Sequence, residues 1–153
     1  MPYFTAVLAR KGRAWSTHDL EIDPADDLPE LANELRLATM TDEPVLLLVE
    51  REDAWWAIVR VDGDEDPRVF VSDVVGVSAS AYAEQLDVGS ENEDPTPGTC
   101  GGDLDLLADL GMGSMELVAA CSDIELYPDE ILGQVAARIG FGPQFEKVVD
   151  DFA

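Results

Sequence analysis

The chain is 153 residues long, with 33 acidic and nine basic residues, a formal net charge of -24 and a hydrophobic fraction of 46%. That apolar share is ordinary for a globular domain and is enough to build a core, so the acidity does not imply disorder. A surface this negative repels phosphate backbones and anionic lipid, which excludes unaided binding to RNA, DNA or an acidic membrane.

The charge is unevenly placed. Residues 1–18 contain Arg10, Lys11 and Arg13 and no acid, so they carry +3 and leave -27 for the rest. Basic residues are mostly arginine, with Lys11 and Lys147 the two lysines. That bias fits a high-GC genome or a halophile, and composition does not separate them. The N-terminus has its basic residues after a short apolar run, the reverse of a secretory signal. No stretch approaches the ~20 apolar residues of a membrane span. The two cysteines, Cys100 and Cys121, match no zinc or redox spacing. Together these features predict a cytoplasmic protein with reduced thiols.

In chain order, Tyr3–Arg10 alternates as a strand, Lys11-Gly12 turns, and Ala14–Ile22 returns as a hairpin partner. A loop follows from Asp23 to Asp27. Leu28, Leu31, Leu35 and Leu37 then mark a helix, with Asp26, Asp27 and Glu30 near its N-terminus. Pro44–Glu50 holds five consecutive apolar residues, the pattern of a central strand buried on both faces. Ala54–Val61 is a fourth strand, whose Trp56, Ile58 and Arg60 share one face. Asp62–Asp66 is an acidic turn and Arg68–Ser72 a fifth strand. Asp73 is placed to cap a second helix, interrupted near Gly76 and running on to Leu86.

Residues 88–102 change character: acids, prolines and glycines without apolar periodicity predict a solvated linker. Short helices follow at Leu104–Leu110, Met115–Cys121, Tyr127–Ile139 and Gln144–Phe152. The third is the best defined. Pro128 suits its first turn, Asp129 and Glu130 complement its dipole, and Gly140 is placed to end it with Phe141 just beyond. The reading is an α+β fold: a five-stranded antiparallel sheet with helices (1–87), in a longin-like or profilin-like order of elements. An acidic Gly/Pro linker (88–102) and a small helical module (103–153), free to dock on the sheet, complete it. An analogy of this kind carries no function.

No catalytic constellation emerges. His18 has no nucleophile motif around it and reads as a surface strand residue. Asp62, Asp64, Glu65 and Asp66 resemble a calcium loop, but the sixth position is Pro67 where the turn needs glycine. Cys100 has carboxylates for neighbours, which disfavour a reactive thiolate. Gly111-Met112-Gly113 is followed by no lysine and reads as a turn between helices. Trp55 and Trp56 are adjacent on a strand, so their rings point to opposite faces. Helices on both sides of the sheet account for both; an interface anchor is the alternative.

The segment LYPDEILGQVAARIGF at 126–141, with DLDLLADLGM at 103–112, resembles the actinobacterial family of tRNA adenosine deaminase-associated proteins. The resemblance extends through the N-terminal layout to the VFVSD stretch at Val69–Asp73. The family takes its name from gene neighbourhood with the zinc enzyme that makes wobble inosine, and its motif is not a catalytic one. The deaminase's own H-x-E and P-C-x-x-C pattern is missing: Asp19 and Leu20 follow His18, and no C-x-x-C occurs.

The resemblance implies a non-enzymatic accessory protein acting through protein contacts, with no cofactor or metal. Its partner would be a basic protein, possible identities including tRNA adenosine deaminase itself, with no direct nucleic-acid or membrane contact. Trp55, Trp56, Tyr127, Asp129 and Glu130 are the candidate partner-binding residues. An acidic nucleic-acid mimic or inhibitor, or an enzyme with a carboxylate-based site, are the alternatives.

Overall fold

In a computed structural model, the described residues are 3–12, 14–18, 27–40, 43–51, 55–63, 65–80, 86, 99–121 and 128–152. The chain forms β1 (Tyr3–Lys11), β2 (Ala14–His18), α1 (Leu28–Thr39), β3 (Pro44–Arg51), β4 (Trp55–Asp62), β5 (Arg68–Val71), α2 (Val74–Ser78), β6 (Gly101–Gly102), α3 (Ser114–Cys121), α4 (Pro128–Ile139) and α5 (Gly142–Phe152). The strands make one antiparallel sheet in the order β2-β1-β3-β4-β5-β6.

The α+β reading holds, with a sixth strand added. Gly101 and Gly102 were expected to close the linker; instead they pair with Val71 and Phe70. Two glycines carry no strand pattern, and the pairing comes from space. A Cβ on Gly102 would lie 2.1 Å from the Val69 carbonyl oxygen, so only glycine lets the backbone this close.

Register sorts the side chains into two cores. Val7, Leu47, Val59 and Val69 align across four strands and project to one face. There they meet Leu31, Ala32 and Leu35 of α1 and Val74 and Val77 of α2. On the other face, Leu8, Leu46, Leu48, Trp56, Ile58 and Phe70 meet the C-terminal part of the chain. Leu107, Leu117, Leu132, Val135 and Phe141 are all fully buried there. The C-terminal helices therefore dock on the sheet, as the third layer of a helix–sheet–helix sandwich.

The helix signals act largely as expected. Asp27 Oδ1 accepts from the Glu30 amide at 2.9 Å, and Asp73 Oδ1 accepts from Gly76 at 3.1 Å. Gly140 adopts φ 114, and its amide and that of Phe141 both donate to the Ala136 carbonyl at 2.9 Å. The Phe141 ring then packs edge-on to Trp15 at 5.2 Å, fastening this corner to β2. Gln144 Nε2 adds a 3.1 Å bond to the Trp15 carbonyl.

Three local expectations are corrected. Leu37 does not join the apolar stripe and is 77% exposed; two positions past Leu35, it is rotated by about 200° to the opposite side of the helix. The helix expected over Leu104–Leu110 is a run of turns ending in a single 3-10 turn at Ala108–Leu110. The helix after Asp73 ends at Ser78. Residues 19–22, the expected end of the hairpin's return strand, and 81–85 lie outside the described residues.

Candidate functional site

Arg60 is the least expected feature of the interior. It lies on the face of β4 that meets the C-terminal layer and is 3% exposed. Taking a guanidinium out of water costs several kcal/mol unless its N–H groups are satisfied. They are. Nε donates to Asp62 Oδ1 at 2.9 Å, Nη1 to the Leu106 carbonyl at 2.7 Å, and Nη1 and Nη2 grip Asp109 with two parallel bonds at 2.5 and 2.7 Å.

Arg68 is the cross-strand neighbour of Arg60, a like-charge juxtaposition that by itself is unfavourable. Asp62 resolves it by bonding both, with Arg68 Nη2 at 3.1 Å, while Asp103 takes Arg68 Nη1 at 3.1 Å. Burial alone would lower the Arg60 proton affinity, but the hydrogen bonds it donates to Asp109 and Asp62 outweigh it and raise the guanidinium above its ordinary value. The hydrogen bond from Arg60 holds the Asp109 carboxyl below the usual range. The cluster thus has strong, closed partnerships. It ties the 103–110 segment to the sheet.

The acidic turn after β4 therefore has a structural use. Asp62 belongs to this clasp, and Arg36 of α1 braces the turn by donating to the Gly63 carbonyl at 2.7 Å and the Glu65 carbonyl at 2.6 Å. Nothing in the sequence pattern pairs Arg60 with Asp109. An arginine in the middle of an apolar strand face was the available signal that a carboxylate must come to it.

The other candidate residues are dispersed. The Trp55 ring is buried on the α1/α2 side and the Trp56 ring on the C-terminal side, at 1% and 2% exposure. Trp56 also stacks near Phe70 at 5.5 Å. In this conformation both rings serve the two cores. Glu130 is exposed in the first turn of α4; Tyr127 and the Asp129 side chain lie outside the described residues. His18 Nε2 lies 3.2 Å from Ser16 Oγ. Among the described residues no carboxylate extends this pair into an acid–base relay. Gly111 takes φ 114 and Met112 turns inward to the core, the turn role expected of that segment. Among the described residues no group of three or more His, Cys, Asp or Glu could hold a metal ion, and no helix is long and apolar enough to cross a membrane.

The two cysteines, far apart in sequence, face the same core. Both are half-buried against the C-terminal-side core. Burial pushes the Cys121 thiol up, and contact with the neighbouring Cys100 thiol adds to the effect.

Comparison with known proteins places the chain. The family model described as Rv3753c-like tRNA adenosine deaminase-associated protein matches residues 3–142. The chain belongs to this family. It is 28% identical over 151 residues to Protein Rv3753c of Mycobacterium tuberculosis, covering 95% of this chain and 86% of that protein. No solved structure matches. The matched region spans the sheet, the Arg60 clasp and α4.

Proposed function

We propose that this protein is a non-enzymatic accessory factor that binds a tRNA adenosine deaminase through protein–protein contacts. The family's description supports this choice of partner, and the net charge of -24 is the observation that carries the mode of binding. An enzyme that takes up tRNA presents a basic surface, and an acidic protein complements it. The architecture supports contact through the outer surfaces of the helical layers, because both faces of the sheet are already covered by the chain's own helices. Glu130 on α4 and Glu116 on α3 are exposed on the C-terminal layer, and Leu37 and Met40, at 77% and 86% exposure, give α1 an apolar outer edge.

The test is co-purification and calorimetry with the deaminase of the same organism across a salt series. The expected result is a complex that weakens steadily as ionic strength rises. Absence of co-elution and of binding heat at low salt overturns the reading. Competition between this protein and tRNA for the deaminase would turn the accessory role into inhibition by mimicry.

A further inference from the structure

Three connections gather at one end of the sheet, and they differ in character. The sequence of the β1–β2 turn is basic, with Arg10, Lys11 and Arg13. The sequence of the β4–β5 turn is acidic; its Asp62 is engaged in the clasp, while Glu65 and Asp66 are exposed. Between them the C-terminal end of α1 leads into β3. Hydrogen bonds tie the three together. The Gly12 amide donates to Glu43, just before β3, at 2.8 Å, and Arg36 in the last turn of α1 holds the Gly63 and Glu65 carbonyls. Strand order puts β3 midway between the two turns, which are three strand spacings apart, about 14 Å.

Leu37 and Met40 stand at that midpoint, one helical turn apart and 77% and 86% exposed. Met40 holds a left-handed conformation, φ 49, that glycine adopts without strain. A large apolar side chain here strains the backbone and gains almost no burial. Strain kept without a return in packing points to a surface with a further use.

We propose that this end of the sheet is a two-fold interface with a second copy of the chain. A two-fold axis at the end of α1 lays Leu37 and Met40 against their counterparts and sets each basic turn against the other copy's acidic turn. The order across the patch, basic then apolar then acidic, is complementary to itself when reversed. That order selects a second copy over a basic partner, which the turn at Arg10 and Lys11 would repel. The C-terminal layer, with Glu116 and Glu130, stays outside this contact, so self-association and deaminase binding stand or fall separately. Two chains of charge -24 repel at a distance, but at physiological ionic strength that repulsion is damped beyond about 8 Å, whereas turns in contact keep part of their attraction.

The test is sedimentation equilibrium of the full chain over a concentration series at two ionic strengths. The expected result is a reversible monomer–dimer equilibrium, with more dimer at physiological than at low ionic strength. Lys11→Glu and Asp66→Lys, both at exposed positions, should each weaken self-association by about tenfold. Mixed in equal amounts they should recover it, because both turn–turn contacts of the mixed dimer again pair opposite charges. Met40→Gly should weaken association by about tenfold or more while leaving the dilute monomer at least as stable, since it removes apolar contact from the interface and strain from the fold. A wild type that is monomeric at every concentration, undiminished dimer in Met40→Gly, or a mixture no better than either charge variant alone would overturn the inference. A monomer that still binds the deaminase overturns this proposal and leaves the functional one standing.

Discussion

Replacing Arg60 by alanine should cost far more stability than removing the charge of its partner. In Arg60→Ala the Leu106 carbonyl loses its donor, Asp62 and Asp109 lose their shared cation, and a cavity opens in a site where Arg60 is 3% exposed. Losses of that kind sum to ~3–5 kcal/mol. In Asp109→Asn the guanidinium keeps Asp62 and the Leu106 carbonyl, and the altered side chain is 63% exposed, so water replaces much of what is lost. That change should cost ~1–2 kcal/mol. The assay is guanidinium chloride unfolding followed by tryptophan fluorescence, with Trp55 and Trp56 reporting opposite faces of the sheet. The pH dependence carries its own sign. A carboxyl whose folded proton affinity is depressed contributes stability above its unfolded pKa, ~3.9 for aspartate, and loses it as pH falls through the lower folded value. The wild type's advantage over Asp109→Asn should therefore be constant from about pH 5 to 8 and shrink below about pH 4. If Arg60→Ala costs less than Asp109→Asn, or the Asp109→Asn difference persists undiminished in acid, the clasp is not what holds the 103–110 segment.

Two further substitutions test backbone geometry. Gly102→Ala would place its Cβ 2.1 Å from the Val69 carbonyl at φ +101, so β6 should detach, with a loss of ~2–4 kcal/mol and faster hydrogen exchange at the Asp103 amide, which donates to that same carbonyl. Gly140→Ala, at φ +114 with open space around it, should cost only ~1–2 kcal/mol, and equal costs at the two sites would discredit the steric account. Met40 caps α1 in the left-handed region at φ 49 and is 86% exposed, so Met40→Gly should stabilise by ~0.5–1 kcal/mol in urea unfolding. A lower midpoint for Met40→Gly would show that the Met40 side chain makes a contact worth more than the strain.

The signals that act locally were legible in the chain. Asp27, Asp73 and Gly140 work as caps because a side-chain oxygen or a missing Cβ satisfies helix ends within a few residues. The run Val45–Val49 announced a strand buried on both sides, and the adjacent Trp55 and Trp56 pointed to opposite faces by the alternation of the strand, which the two cores cover. Family membership was also readable, from the stretch at 126–141. The charge narrowed the kinds of partner by the sign of the field, which needs no coordinates.

Contacts between distant segments were decided only by tertiary structure. Arg60 meets Asp109 because the C-terminal layer lies on the sheet face that β4 presents, and no periodicity encodes that docking. The pairing of Gly101–Gly102 with β5 depends on an approach so close that a side chain is excluded, and a glycine pair looks the same in a strand as in a linker. Cys100 and Cys121 follow no motif spacing, yet both come to pack against the same core. Side-chain alternation and capping chemistry extend over a turn or two of chain; the meeting of layers is set by how two apolar faces fit, and that is a property of the folded whole.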